Sequence, residues 1–297
     1  AAEGQRPHVQ LSAPVTIAGD DQGTLTLSGL LVEGALDVTG PLGTLRLLHT
    51  TLVPGTALTS DGAPATTKPS LVVSGTSGTT TINTNLTVCM SSSITGPLAI
   101  PSSVVSLYVA DSIVDGIGGA AIGPSDPSQT SGPPTTVVRS TVFGATSVLQ
   151  LVTASESVFT GLVTVAQRQV GCCRFSYVPP GSSAPRRYRC QPDLEVAAEI
   201  AAAQATQNLP IGPAQSNAIR AAVGAWLVPA FTSTRYGDPG YAQLAASGPK
   251  QIATGAADGS EMGVFCQLKQ PQRARNLVTR LGEYLPLGLV GVPVFVT

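Results

Sequence analysis

The chain of 297 residues has 42% hydrophobic and only 11% charged side chains, which excludes a disordered polyelectrolyte and allows a sizeable buried core. Its 16 Lys and Arg nearly balance its 17 Asp and Glu, so the total charge does not predict binding to nucleic acid or to an anionic membrane. No apolar stretch reaches the roughly 20 residues that cross a bilayer, which predicts a soluble protein without a membrane span.

The first residues, AAEGQRP, contain neither a basic region nor an apolar run, so we expect no secretory signal within them. Five cysteines, an odd number, do not form a disulfide scaffold in a chain of this length. The location therefore stays open between a cytoplasmic assembly and an extracellular particle.

Up to about residue 170 the chain consists of short alternating runs of Thr, Ser, Val, Leu and Gly. The runs at 24–27 and 45–48 are typical of short strands. No segment before residue 190 has a helical period, which argues against alternating βαβ units. We therefore predict a mainly β protein.

A glycine that follows an apolar pair and one variable residue recurs along these strands. It occurs in LVEG (31–34), LVPG (52–55), IVDG (113–116) and VFTG (158–161). Weaker copies end at Gly75, Gly96 and Gly144, and the successive intervals are 21, 20, 21, 20, 28 and 17 residues. A period near 20 predicts the coils of a right-handed parallel β-helix. A sandwich or jelly roll also uses short strands, but neither predicts a constant period.

The residue two positions before each glycine is apolar, which predicts one inward-facing column. Its members are Val32, Val53, Val73, Ile94, Val114, Val142 and Phe159. The longest interval contains 123–134, rich in Gly, Ser and Pro, which we interpret as a loop that leaves the coil.

Two alternating runs around the ProProGly at 179–181 predict a hairpin that leaves the β-helix. This hairpin would place Cys173 opposite Cys190, so the pair is a disulfide candidate, with buried free thiols as the alternative. Adding Cys172 and Cys266 gives four thiols whose spacing matches no standard zinc module, so we expect no metal.

Helical patterns follow at 193–207, with Asp193 as the expected N-cap, and at 214–226. A last amphipathic helix is predicted at 272–284, with Leu277 and Leu281 on one face, before the apolar, strand-like end at 292–297. The predicted domains are a parallel β-helix at 1–170 and, at 171–297, a hairpin plus helical α/β appendage that caps it.

Several segments of the chain resemble the C-terminal part of a group of large, uncharacterised bacterial parallel β-helix proteins. They are LTLSGLLVEG, VGCCRFSYVPPGS, FTSTRYGDPGYAQL, DGSEMG and QPQRARNL, and the likeness covers nearly the whole chain. The group is associated with phage-tail-like or contractile injection systems, so the resemblance implies a role in such an assembly and supplies no catalytic residues. The adjacent Cys172 and Cys173 depart from the single cysteine of the group.

Parallel β-helices that cleave polysaccharides gather acidic residues on one strand face. Asp111, Asp115 and Glu156 form the nearest approach to such a cluster, although turn and solvent positions explain them equally well. Histidine chemistry is limited to His8 and His49, without a nucleophile elbow. We expect no cofactor.

Two polar, turn-rich stretches are candidate binding loops, with ordinary turns as the alternative. The first contains Tyr236, Asp238 and Tyr241, and the second contains Asp258 and Glu261.

These patterns favour a non-enzymatic structural or adhesive module of a phage-tail-like or cell-surface assembly. Its partners would be itself or other proteins, with polysaccharide as a further candidate. The alternative is a polysaccharide lyase or hydrolase with its site in a cleft beside the 123–134 loop. A third hypothesis is a protective cap or chaperone-like partner of an assembly.

Overall fold

A computed structural model describes residues 7–286 and 289–291 of the chain. Strands account for 34% and helices for 18%, which confirms a mainly β protein with a C-terminal helical part. The predicted strand at 292–297 lies outside the described residues.

The strands, numbered in chain order, form three ladders in which neighbours pair in parallel. Ladder 1 contains β1 (His8–Gln10), β4 (Leu31–Glu33), β7 (Thr51–Leu52), β12 (Ile94–Thr95), the first parts of β15 (Ile113–Gly123) and β17 (Thr141–Val148), and β19 (Val158–Phe159). Ladder 2 contains β2 (Val15–Ile17), β5 (Leu36–Val38), β8 (Leu71–Val73), β13 (Leu98–Ala99), the second parts of β15 and β17, and β20 (Val163–Val165). Ladder 3 contains β3 (Thr24–Ser28), β6 (Thr44–Leu48), β11 (Thr87–Ser91), β14 (Ser106–Ala110), β16 (Thr135–Val138), β18 (Leu151–Ser155), β21 (Gly171–Arg174) and β22 (Arg186–Tyr188).

The first seven coils each contribute one strand, or part of one, to each ladder, an order that is compatible with a parallel β-helix or solenoid. An antiparallel pair, β9 (Thr76–Ser77) with β10 (Thr80–Thr81), belongs to an insertion. Because successive residues of a strand point to opposite faces, one face of every ladder supplies apolar side chains to a common core. Val32, Leu52, Val114, Val142 and Phe159 are its ladder 1 members.

The strand register corrects the predicted apolar column. Leu52, and not Val53, is opposite Val32. Val73 lies in ladder 2 opposite Val38. Ile94 is opposite Thr51, so Thr95 is the next residue inward. Thr51 and Ile94 are 43 positions apart but pair in neighbouring coils. A single coil with two insertions therefore fills an interval that the glycine repeat divides into two coils. The glycine pattern gave the wrong number of coils here because such a glycine follows strands of ladder 1 and also strands of ladder 2.

The four valines predicted as core, Val32, Val53, Val73 and Val114, are nevertheless all buried, with at most 4% exposure. The 123–134 loop also lies where it was predicted, because β15 ends at Gly123 and β16 begins at Thr135.

The predicted hairpin around the turn at 179–181 is wrong. β21 and β22 pair in parallel, with Cys173 opposite Arg187, and single bridges join Tyr177 to Val158 and to Gln191. This segment is therefore a further coil, and the ladders continue past residue 170. An alternating pattern on either side of a turn does not distinguish a hairpin from a full coil.

The helical predictions agree closely with the structure, which has α1 (Asp193–Gln207), α2 (Pro213–Trp226), a short α3 (Lys250–Ala253) and α4 (Gln270–Tyr284). The N-cap prediction is wrong, because Pro192 occupies that position without a side-chain hydrogen bond. Asp193 lies in the first turn and pairs with Arg187.

Residues 231–268 lie along the outer face of ladder 1. Phe143 and Ile113 of that face pack with Tyr241 and Val264, and Val158 packs with Met262. This part of the outer face is buried because it carries the apolar residues Ile113, Phe143 and Val158. The appendage was predicted to cap the β-helix, and this part of it covers the side of ladder 1.

Candidate functional site

The turn that leads from ladder 3 to ladder 1 positions two of the three predicted acids. In successive coils one residue of this turn has a left-handed backbone, with φ between 44° and 54°, at His49, Ser92, Asp111, Arg139, Glu156, Phe175 and Arg189. A non-glycine residue in this conformation costs about 1 kcal/mol or more, so the surroundings must hold it there.

A column of buried hydroxyl groups holds these turns. The next residue in each coil is Thr50, Ser93, Ser112, Ser140, Ser157, Ser176 and finally Cys190. The amides of Ser112 and Ser140 donate to the Oγ atoms of Ser140 and Ser157, both at 3.2 Å, and each Oγ donates to the carbonyl two residues earlier. We name this column the hydroxyl stack. It satisfies polar groups that would otherwise be buried without partners.

The hydroxyl stack was not among the sequence predictions, although its signal is present as a Ser or Thr two residues after the end of a ladder 3 strand. The irregular coil lengths hide this signal.

Asp111 forms a bidentate ion pair with Arg139, the equivalent residue of the next coil. Nε and Nη2 of Arg139 donate to the two carboxylate oxygens at 2.7 and 2.8 Å. The hydrogen bonds to Asp111 raise the pKa of the guanidinium above its ordinary value. The carboxylate of Asp111 is therefore occupied by an ion pair between the turns of two successive coils.

Asp115 lies on the outer face of ladder 1 and is buried beneath the C-terminal segment. Its Oδ1 accepts the amide of Ile117 at 2.8 Å, and its Oδ2 accepts the hydroxyl of Tyr241 at 2.7 Å. Burial, and then the nearby carboxylate, raise the pKa of Tyr241. Two residues predicted for different sites therefore form one buried contact.

Glu156 anchors the C-terminal segment in a similar way. Its Oε1 accepts the amide of Ala257 at 3.3 Å, and its backbone carbonyl accepts the amide of Gly263 at 2.8 Å. Its Oε2 lies 4.0 Å from the thiol sulfur of Cys266. Burial, followed by the charge of Glu156, raises the pKa of that thiol to about 11.

The predicted loop at 236–241 packs against the same face. The ring of Tyr236 meets that of Tyr241 edge to face, with centroids 5.7 Å apart. Oδ2 of Asp238 accepts the hydroxyl of Ser233 at 2.6 Å, which closes the loop on itself. Tyr236 borders two clefts. One, of about 700 Å³, also has Asp115 and Arg235 in its wall, and the other, of about 390 Å³, has Asp111 and Asp238.

The second predicted loop contains two carboxylates in opposite environments. Asp258 is half exposed and pairs with Lys269, which together with Ser260 lowers its pKa to about 2. Glu261 is 7% exposed, and burial raises its pKa to about 7. Neither residue belongs to the walls of the two clefts at Tyr236.

A cleft of about 430 Å³ lies beside the 123–134 loop, where the alternative function places its site. Asp126 is the acidic residue in the described wall, together with Ser125 and Gln129. The amide and hydroxyl of Ser128 lower the pKa of Asp126. Glycosidic cleavage by acid and base needs two carboxyl groups about 5 to 10 Å apart, and this wall supplies one.

Cys173 and Cys190 are buried in the same core as free thiols. Burial, and then the neighbouring Cys190, raise the pKa of Cys173 to about 12. In the described part of the chain no three His, Cys, Asp or Glu side chains lie together as metal ligands would. The helices within the same ranges are too short or too polar to cross a bilayer.

No model of a known protein family matches the chain, and no curated protein or solved structure matches it either.

Proposed function

We propose that this protein is a non-enzymatic structural module, a right-handed parallel β-helix that serves a phage-tail-like or cell-surface assembly. One observation carries the proposal, which is that the acids of the candidate site are used as structural connections. Asp111 is paired with Arg139, Asp115 with Tyr241, and Glu156 with the backbone of the C-terminal segment.

General acid and base catalysis requires ionisable groups that reach a substrate. A buried carboxylate that the protein holds by a hydrogen bond to each oxygen is poorly placed to exchange a proton with a substrate. Asp115, 8% exposed, is in this state. These residues therefore support a scaffold better than an active site.

The first coil has strand edges that further strands could join. Among the described residues, β1, β2 and β3 pair on one edge only, with β4, β5 and β6. Val9 is 38% exposed, whereas Val32, its partner in the next coil, is 4% exposed. An open strand edge with partly exposed apolar side chains is a template for further strands. The resemblance to proteins of contractile injection systems supports the kind of assembly.

The test of the non-enzymatic role is an assay of the full chain on acidic and neutral polysaccharides, with and without Ca²⁺. We expect no lyase or hydrolase products. Cleavage that is lost in Asp111→Ala, Asp115→Ala or Glu156→Ala, with the fold verified by circular dichroism, would contradict the proposal.

Association is tested by sedimentation velocity over a range of protein concentrations. We expect complexes larger than one chain, weakened by Val9→Lys because a charge then faces the open edge. Lys68→Gln, at an exposed position of the insertion, is the control. A monomer at every concentration, with no partner recovered from the native source, would contradict the role in an assembly.

A further inference from the structure

The near-neutral total charge conceals an uneven distribution along the chain. Residues 269–297 contain Lys269, Arg273, Arg275 and Arg280 against the single acid Glu283, a net charge of +3. The remaining 268 residues contain 12 of the 16 basic and 16 of the 17 acidic side chains, a net charge of −4. The C-terminal segment is thus a basic element on an acidic body.

Most of this basic segment is α4, a helix without a single buried residue. At about 100° per residue, five apolar side chains fall within an arc of about 120°. They are Ala274, Leu277, Val278, Leu281 and Tyr284. Leu277 and Val278 are each 47% exposed and Tyr284 is 80% exposed, so the described protein leaves most of this stripe open to solvent.

Arginines flank the stripe on both sides. Arg273 and Arg280 fall next to one edge of the arc and Arg275 lies beyond the other, while Gln272 and Thr279 occupy the opposite face. The ion pairs among the described residues involve none of the three arginines. Their charges are therefore available to a partner.

The apolar surface continues beyond the helix. Leu289 is 62% and Val290 is 88% exposed, and Gly291 lies beside Leu281 of the stripe. Leu289 and Val290 therefore add exposed apolar side chains near the C-terminal end of the stripe on α4.

We propose that α4 and residues 289–290 bind the surface of an anionic lipid bilayer, with the helix in the plane of the interface. The apolar stripe would enter the boundary between headgroups and acyl chains, and the flanking arginines would lie level with the phosphate groups. The net charge of −4 on the rest of the chain keeps the body away from the same surface.

A protein groove fits this helix less well. To bury the stripe, a groove would also have to desolvate the flanking arginines and provide a carboxylate for each one, which is costly. A headgroup layer accepts the same side chains while they stay hydrated. The arrangement of charge around the stripe therefore favours lipid.

The test is co-sedimentation of the full chain with vesicles of phosphatidylglycerol and phosphatidylcholine in equal amounts, compared with phosphatidylcholine alone. We expect binding to the anionic vesicles only, weakened by salt. Each basic residue near an anionic surface contributes about fivefold to the binding constant, so Arg273→Gln with Arg280→Gln should lower it roughly 25-fold. The pair Arg273→Lys and Arg280→Lys should retain binding.

The matched control removes two exposed arginines from the last coil, Arg186→Gln with Arg189→Gln, and should bind as the parent protein does. Leu277→Ser with Val278→Ser should also weaken binding, while the melting temperature of the body stays unchanged because neither side chain is buried. Equal binding to neutral vesicles, or no effect of the α4 variants, would overturn the proposal. So would a loss of self-association in these variants with vesicle binding unaltered, because α4 would then contact a second copy.

Discussion

The hydroxyl of Tyr241 donates a 2.7 Å hydrogen bond to Asp115, a residue 126 positions earlier in the chain. This contact is buried and joins the C-terminal loop to the outer face of ladder 1. It connects two regions that the sequence presents as unrelated.

Removing the donor should loosen this attachment. In Tyr241→Phe the buried carboxylate keeps the amide of Ile117 but loses its second partner, which should cost about 1 to 3 kcal/mol of unfolding free energy. Urea denaturation measures the difference. Tyr188→Phe, at a 59% exposed ring, is the control and should change stability by less than about 0.5 kcal/mol. Equal stabilities of the two variants would show that the bond does not hold the loop.

Val114→Asp should unfold several coils. Val114 has no exposed surface, and an unpaired carboxylate in this core costs several kcal/mol, by order of magnitude. Val152→Asp introduces the same group at a 41% exposed position of β18 and should be tolerated. Circular dichroism during thermal denaturation compares them. A Val114→Asp protein as stable as the control would contradict the inward orientation of ladder 1.

Glu261 should make the protein less stable as the pH rises. Burial raises its pKa in the folded state to about 7 from an ordinary 4.5, so between these values the folded state holds a proton that the unfolded state has lost. Stability therefore falls from about pH 4.5 to about pH 7 and is level above that range. The cost above pH 7 is at most about 3 kcal/mol.

Glu261→Gln should remove this dependence, with a gain in stability at pH 8 and none at pH 4. Asp258→Asn is the opposite case, because Lys269 lowers the pKa of Asp258. The contribution of that exposed pair is present above pH 3.8, is lost as the pH falls toward 2, and is below about 1 kcal/mol. Urea titrations at several pH values test both. An unchanged pH profile in Glu261→Gln would refute the assignment.

The thiols should react in an order set by burial. Cys89 and Cys172 are partly exposed, whereas Cys173 and Cys190 are buried and have raised pKa values. A disulfide-exchange reagent at pH 8 should therefore modify the first pair in the native state and the second pair only on unfolding. All five thiols should be counted in denaturant without reductant, and a count of three would indicate one disulfide, for which Cys173 and Cys190 are the candidates.

The sequence predicted the elements whose signal is local. The helices at 193–207 and 214–226 and the loop at 123–134 depend on nearby residues, and the structure has them within one or two positions. The predicted apolar column was wrong at Val73, because the 43-residue coil contains two insertions. The spacing of residues along the sequence cannot show which of two ladders a strand joins.

The candidate site was predicted residue by residue but not as an arrangement. Nothing near Asp115 in the sequence indicates Tyr241 as its partner, and nothing near Glu156 indicates the amide of Ala257. These pairings depend on the path of residues 231–268 across ladder 1. That path follows from the apolar outer residues Ile113, Phe143 and Val158, which the glycine pattern does not single out.

The C-terminal segment on ladder 1 also determines how the stack would respond to mechanical force. Each coil otherwise holds only its two neighbours, so tension along the axis would separate coils one at a time. Residues 231–268 contact ladder 1 from Ile94 to Tyr177 and so form a second connection across several coils. The force would then be shared among these coils. Under tension the coils before Ile94 would yield first, and the bridged coils would behave as one rigid rod.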